Sequence, residues 1–200
     1  MNATRRSLVT MAGMLPISAM AGKPTDVLGA EAMHDRLVLS DFGPEDEYVM
    51  PGASWRGFTD RVMGGVSDAD FNRDELDGRR CVRMTGNVTR DNGGGFVQMA
   101  LYLDHADLSR YSGIELLVYG NDEDYNAHIR TSDCGWHDQS YRATFHAKSR
   151  WQTIQLRWDA FEANGVKAEL NTAEVQRIGL LGWMRDFSAD LAIGEVALYT

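Results

Sequence analysis

A two-residue alternation of apolar and polar side chains constrains the fold of this chain more than any other feature. It runs from residue 80 onward through short segments such as 97–103 and 114–118. Turn-forming residues separate these segments, for example Asp91-Asn92-Gly93 and Asn164-Gly165. Because side chains alternate between the two faces of a strand, the pattern predicts many short strands that each bury one face.

No segment has the length and period of an amphipathic helix, and only short helical turns are expected, near 107–109 and 172–174. The fold class that follows is all-β, an antiparallel β-sandwich of the jelly-roll kind. We expect one such domain over residues 37–200, preceded by a flexible arm at 22–36.

Composition limits the partners of this domain. Twenty basic residues against twenty-nine acidic ones give a net charge of −9 among 200 residues. Such a field repels nucleic acid and anionic membrane surfaces, so neither is expected as a partner. No apolar stretch reaches the roughly 18 residues that a membrane-spanning helix needs.

Residues 1–21 resemble an export signal. Arg5-Arg6 is followed by Ser-Leu-Val and a mildly apolar run that ends in Ala19-Met20-Ala21. The arginine pair and the modest hydrophobicity favour a twin-arginine signal with cleavage near Ala21, and therefore a periplasmic protein. There are two alternatives to this interpretation: a mitochondrial presequence, and an N-terminal tail that is not cleaved and has no targeting role.

The two cysteines do not form a framework of disulfides or a metal site. Cys81 is predicted to face away from the side that Val82 and Met84 bury, and Cys134 to lie in a loop beside a solvated His137. A bridge between the cysteines is the less favoured outcome. Neither a cofactor nor a metal ion is expected, although a structural calcium in a turn stays open.

The stretch Asp60-Arg61-Val62-Met63-Gly64-Gly65-Val66-Ser67 is the most specific motif, and Gly93-Gly94-Gly95-Phe96 follows it. Paired glycines permit positive φ or a close approach of another chain. In the favoured structural interpretation, Asp60 accepts backbone N–H bonds and Met63 fills a gap in the core. In the functional interpretation, the loop presents Arg61 to a partner.

With Trp55 and these two glycine clusters, the chain resembles the complex I intermediate-associated protein 30 family. The residues that carry the resemblance run in order through the chain: Asp41-Phe42, Trp55, Asp60, Arg61, Met63, Gly64, Gly65, Ser67, Gly94, Gly95, Phe96, Asp107-Leu108-Ser109, Tyr111, Gly113-Ile114, Tyr141-Arg142 and Ile178-Gly179-Leu180. The resemblance implies a β-sandwich like that of galactose-binding domains. It also implies a non-enzymatic binding module, because eukaryotic relatives act in respiratory complex I assembly.

No pattern indicates catalysis. The chain has no Gly-x-Ser-x-Gly, phosphate-loop or His-Glu-x-x-His signature. Its clustered acids do not single out a catalytic pair, since 122–124 is predicted to be a turn and Asp68 and Asp70 to flank another.

One strand pair offers a candidate binding face. Alternation in 125–131 and 141–146 places Tyr125, Ile129, Ala143 and Phe145 on one side. The other side is polar and rich in donors, and together with Trp136 in the intervening loop it forms a possible ligand or partner face: Asn126, His128, Arg130, Trp136, Arg142 and His146. An ordinary solvated sheet face explains the same pattern.

Two functions follow. The first is an assembly-factor-like module that binds a protein, such as a subunit of a respiratory or envelope membrane complex. The second is a carbohydrate-binding module of the cell envelope, with a glycan as partner. Fold alone favours neither.

Overall fold

The computed structural model describes residues 35–42 and 52–200. The predicted signal at 1–21 and nearly all of the predicted arm at 22–36 lie outside the described residues. Within those ranges the chain is built almost wholly of antiparallel strands, which confirms the predicted all-β sandwich.

Six strands form the first sheet, in the order β3-β4-β12-β6-β9, with β1 also paired to β12. Their bounds are β1 (Arg36–Ser40), β3 (Asp68–Leu76), β4 (Arg79–Val88), β6 (Gly113–Tyr119), β9 (Gln152–Arg157) and β12 (Phe187–Tyr199). β12 is long enough to pair with β4 through its first half and with β1 through its last residues.

The second sheet has the order β10-β8-β7-β11-β5-β2. Its strands are β2 (Ser54–Thr59), β5 (Phe96–Ala106), β7 (Glu123–Thr131), β8 (Ser140–Ala147), β10 (Glu162–Asn164) and β11 (Val175–Trp183). β11 lies between β7 and β5, so segments far apart in sequence become neighbours.

The core lies between the sheets and takes one face of each. Val97, Met99 and Leu101 of β5 are buried there, as are Tyr125 and Ile129 of β7. These are the apolar positions of the alternating segments, because a period of two directs every second side chain inward. The opposite face of the second sheet is therefore left for other uses.

Short 3₁₀ turns connect the strands at Asp60–Met63, Asp91–Gly93, Trp158–Ala160 and Thr172–Glu174. The last matches a predicted turn. Residues 107–109, also predicted as a helical turn, adopt no 3₁₀ geometry.

Several local predictions were wrong. Asp70 lies within β3 rather than beside a turn, although Asp68 opens that strand directly after the 60–67 loop. Glu123 and Asp124 open β7, which leaves only Asp122 of those three acids in the turn. β3 pairs with β4 as an edge strand, so its acidic positions face solvent while pairing holds its backbone.

Both cysteines are free and buried. Cys81 is outside the main core cluster, as its position out of phase with Met84 requires. Cys134 lies in the loop before β8, as predicted, and its side chain belongs to that cluster, whereas His137 is exposed. No helix in the described ranges is long and apolar enough to cross a membrane.

Candidate functional site

A pocket of about 490 Å³ opens on the face of the second sheet that points away from the core. Residues of β2, β5, β7, β8 and β11 line it, together with the 3₁₀ turn at Asp60–Met63 and the loop before β8. This volume lies within the range of about 300–1,000 Å³ that is usual for ligand pockets. The two-residue alternation produces the pocket, because it brings outward side chains of neighbouring strands together.

One wall of the pocket is apolar: Phe58, Val62, Met63, Phe96, Trp183 and Met184. The Phe96 ring lies 6.0 Å from Phe58 and 6.1 Å from Trp183, between ring centroids. Val62 and Met63 are 72% and 54% exposed, so they form the outer rim of this wall. Met63 is therefore at the surface, and the prediction that it fills the core was wrong.

The floor of the pocket is polar and contains buried groups. Gln98 and His128 are only 3% and 5% exposed. Within the described ranges, no protein group hydrogen-bonds Gln98 Nε2, His128 Nε2 or Arg177 Nε. A buried polar group without a partner costs about 1–3 kcal/mol of stability, so three in one pocket need a physical explanation.

A glycine makes room for this floor. A Cβ at Gly179 would stand 1.9 Å from Gln98 Nε2, so only glycine lets the Gln98 amide lie across β11. Gly179 pairs with His128 on one side of β11, and its neighbouring strand β5 carries Gln98 on the other. The amide nitrogen of Gln98 and the imidazole of His128 therefore line the same part of the sheet.

His128 is held in its neutral form. Burial, together with the charges of Arg142 and Arg177, lowers the pKa of His128 to about 3. Its ring meets Trp183 edge to face at 4.8 Å. At neutral pH the imidazole therefore supplies one donor and one acceptor rather than a positive charge.

Three arginines surround the floor, and each is used differently. Arg130 donates to the backbone oxygens of the loop before β8, at Cys134, Trp136, His137 and Gln139. Arg142 lies 4.7 Å over the Trp183 ring and donates to Ser140 Oγ and the Asp138 carbonyl.

Arg177 packs against the Phe58 and Tyr102 rings, and among the described residues its one side-chain hydrogen bond goes to Tyr102 Oη at 3.3 Å. Burial lowers the pKa of Arg130 and of Arg142, and the charge of Arg177 also acts on Arg130. The carboxylate of Asp138 opposes both shifts. The floor thus has an excess of positive charge.

Asp60 fixes the edge of the pocket. Its carboxylate is fully buried and accepts from Ser67 N (2.9 Å), Ser67 Oγ (2.5 Å), Gly95 N (2.6 Å) and Phe96 N (3.1 Å). Burial acts to raise its pKa, but these hydrogen bonds prevail and hold the pKa of Asp60 below its ordinary value. The carboxylate ties the 60–67 loop to the start of β5.

The glycines of the motif make space for that carboxylate. A Cβ at Gly65 or at Gly94 would meet an Asp60 oxygen at 2.4 Å. Arg61, the candidate for presentation to a partner, instead directs its Nε to the Ser67 carbonyl at 3.0 Å. Trp55 donates to Ser40 Oγ and packs at the core edge. The 60–67 motif therefore has a structural role, and two of its residues, Val62 and Met63, line the rim of the pocket.

The structure divides the predicted binding face. His128, Arg130 and Arg142 line the pocket, but Asn126, Trp136 and His146 do not. Asn126 accepts from Thr144, His146 pairs with Asp124, and Trp136 is 70% exposed.

Sequence reasoning missed most of the pocket lining. The residues not foreseen as a site include Phe58, Val62, Gln98, Arg177, Trp183 and Met184. Gln98 and Arg177 stand at polar positions of alternating strands, which was a usable signal. They lie in one pocket because β11 pairs with both β5 and β7. The local alternation of side chains does not predict this order of strands.

A family model, complex I intermediate-associated protein 30, matches residues 41–193. Comparison with curated protein sequences gave no significant match.

Several solved structures share the fold at low sequence identity. The family 11 carbohydrate-binding module of the cellulase Lic26A-Cel5E of Clostridium thermocellum aligns with a TM-score of 0.66 and 14% identity, covering 82% of this chain and 94% of that one. The family 11 module in complex with a β-1,3-1,4-mixed-linked tetrasaccharide gives 0.64 and 13%, with the same coverage. The family 30 module of cellulase Cel9D-Cel44B from that organism gives 0.58 and 11%, covering 82% and 96%.

Proposed function

We propose that this chain, which belongs to the complex I intermediate-associated protein 30 family, is a non-catalytic binding module. We further propose that its pocket on the second sheet binds a saccharide. The observation that carries this proposal is that one pocket contains both an aromatic wall and buried nitrogens without a hydrogen-bond partner in the described ranges. A sugar ring has an apolar C–H face and a rim of hydroxyl oxygens, so it satisfies both parts at once.

Similarity of fold supports this choice of ligand. The family 11 module, which shares this two-sheet architecture, was solved with a bound tetrasaccharide. At 13% identity the likeness concerns the fold, so the ligand is argued from the pocket of this chain. Aromatic groups with a few convergent polar atoms are the usual composition of a ligand site.

The lining supports binding rather than hydrolysis. Within the described ranges, Asp138 supplies the one carboxylate of the lining. Glycoside hydrolysis by the common mechanisms uses two carboxyl groups about 5–9.5 Å apart. In the same ranges, no group of three or more His, Cys, Asp and Glu side chains is placed to hold a metal ion.

Screening on a glycan array, followed by calorimetry on each hit, tests the proposal. We expect Trp183→Ala to weaken binding by about tenfold or more, because it removes the ring that joins both parts of the pocket. Trp136→Ala is the matched control, since that exposed ring lies outside the pocket, and it should bind as the parent does. An array without any hit, or equal losses in both variants, would overturn the proposal.

Exposed apolar side chains favour a second candidate, recognition of a protein. Val62, Met63, Val66 and Met184 are all at least 40% exposed, and three of them belong to one loop. Such clusters often mark protein contacts. Through its family, the chain would then hold a subunit of a respiratory or envelope membrane complex. Recovery of such a subunit by parent protein, but not by a Val62→Ser/Met63→Ser variant, would favour this role.

We also propose that the protein is exported through its twin-arginine leader, with mitochondrial import as the alternative. The support is the Arg5-Arg6 pair before a short apolar run and the small-residue site near Ala21. Replacing both arginines by lysine should leave precursor in the cytoplasm, and normal export of that variant would contradict this route.

A further inference from the structure

Arginines of this protein are distributed unequally between paired and unpaired states. Many of them form ion pairs with carboxylates: Arg36, Arg83, Arg90, Arg110, Arg157 and Arg185. Within the described ranges, no such pair involves Arg130, Arg142 or Arg177, the three that line the pocket. In a chain of net charge −9, a pocket lined by three arginines and one acid is locally positive.

The three arginines do not have equal capacity for a ligand. The terminal nitrogens of Arg130 donate hydrogen bonds to four loop carbonyls, and Arg142 donates two hydrogen bonds to residues 138 and 140. Among the described residues, Arg177 retains most of its donors, and its Nε is buried without a hydrogen-bond partner. An arginine edge made of Nε and a terminal nitrogen matches the two oxygens of a carboxylate.

Two further donors lie near that free edge. The register places Arg177 two residues before Gly179 on β11, where the Gln98 amide crosses the strand and His128 is the neighbour on β7. Gln98 Nε2 and His128 Nε2 are both buried without a partner in the described ranges. The pocket therefore combines a guanidinium with two neutral polar nitrogens, whereas its single lining acid, Asp138, lies on the loop before β8.

We infer that the ligand is an acidic saccharide, a uronate, whose carboxylate is held by Arg177 with Gln98 and His128 beside it, and whose ring packs on Trp183. This inference rests on the proposed saccharide function and names its ligand class. A neutral sugar would leave Asp138 as the single acid of the lining against three arginines, and burying charge without enough counter-charge is costly. A carboxylate supplies that charge and accepts several hydrogen bonds at once.

The test uses ligand pairs that differ only in the acid. Oligogalacturonate, oligoguluronate and oligoglucuronate are each compared by calorimetry with their carboxyl-reduced, neutral products, and with a sulfated neutral oligosaccharide. We expect at least one oligouronate to bind about tenfold or more tightly than its neutral product. Arg177→Gln should abolish that preference, because it removes the charged fork.

Arg157→Gln is the matched control. It removes the same charge from the first sheet, where Arg157 pairs with Asp159 at an exposed site, and it should leave the preference unchanged. Circular dichroism verifies that each variant is folded. If Arg177→Gln does not fold, Arg142→Gln takes its place, and a reduced preference is again expected.

The outcomes separate this inference from the proposed function. Equal binding of acidic and neutral forms, with both lost in Trp183→Ala, would overturn the uronate assignment and leave saccharide binding intact. Preference for the sulfated ligand over every uronate would likewise overturn it. Absence of any saccharide binding, uronates included, would overturn both.

Discussion

The two sheets both carry arginines on their outward faces, but they surround them with different partners. On the first sheet, Arg36 bridges Glu115 and Glu195, and Arg83 bridges Asp74 and Asp190. On the second, Arg177 shares a pocket with Gln98 and His128, and each has a buried nitrogen without a protein partner in the described ranges. Satisfied groups indicate a surface that is complete in itself. Unsatisfied buried groups cost stability and indicate where a ligand completes the structure.

The largest expected effect is at Asp60, at the edge of the pocket. Asp60→Ala removes one carboxylate and leaves the donors of Ser67, Gly95 and Phe96 without a partner. We expect a loss of about 3 kcal/mol in the free energy of unfolding, measured by urea denaturation. Asp159→Ala, at an exposed pair, should cost less than about 0.5 kcal/mol, and similar losses in both would contradict the role given to Asp60.

Acid should act on the second sheet through His128. Its pKa falls from 6.5 in the unfolded chain to about 3 in the fold, so the unfolded state binds more protons in that window. Stability is therefore complete above pH 6.5 and declines on acidification. Between pH 5.5 and 4 the expected slope from this residue is about 1.4 kcal/mol per pH unit.

His128→Gln should flatten the stability profile over that window, as determined by urea denaturation at a series of pH values. Arg142 and Arg177 act in the same direction on the parent imidazole because both disfavour its protonation. An unchanged profile would show that His128 is not buried as a neutral group.

A change at Gln98 should stabilise the protein while it impairs the pocket. Gln98→Leu replaces a buried amide, whose nitrogen has no hydrogen-bond partner among the described residues, with an apolar side chain of similar size. We expect a gain of about 1 kcal/mol in the free energy of unfolding, seen as a higher midpoint of thermal unfolding, together with weaker saccharide binding. A destabilised variant would mean that the amide is satisfied in the unliganded protein.

The smallest effect is expected on the first sheet. Arg83→Gln breaks contacts to Asp74 and Asp190, whose side chains are 40% and 37% exposed. Because solvent screens such pairs, we expect a loss of about 0.5–1 kcal/mol in urea denaturation and no change in saccharide binding. A loss as large as that of Asp60→Ala would remove the contrast between the two faces.

Local sequence patterns predict which side chains of a strand face the core, but not which strand lies beside it. Alternation placed Val97 and Leu101 in the core and assigned His128, Arg130 and Arg142 to one outward face, as the structure has them. Gln98 and Arg177 escaped notice because their strands are neighbours only through pairing across about 80 residues.

Two other misses have local causes. The strand Asp68–Leu76 is polar at most positions, so its alternation is weak, and pairing with β4 alone defines it as a strand. Met63 looks like a core residue by type. The 3₁₀ turn that Asp60 stabilises directs it outward, and no hydrophobicity pattern encodes such a tertiary hydrogen bond.

The Asp60 carboxylate also bears on the entropy of ligand binding. It joins the loop that carries Val62 and Met63 to the strand that carries Phe96, so the apolar rim is ordered together with the sandwich. A rim ordered during folding does not have to be ordered again when a ligand arrives, and that lowers the conformational entropy lost on association. We expect pre-organisation of this kind to favour binding of a polar ligand that offers little apolar area of its own.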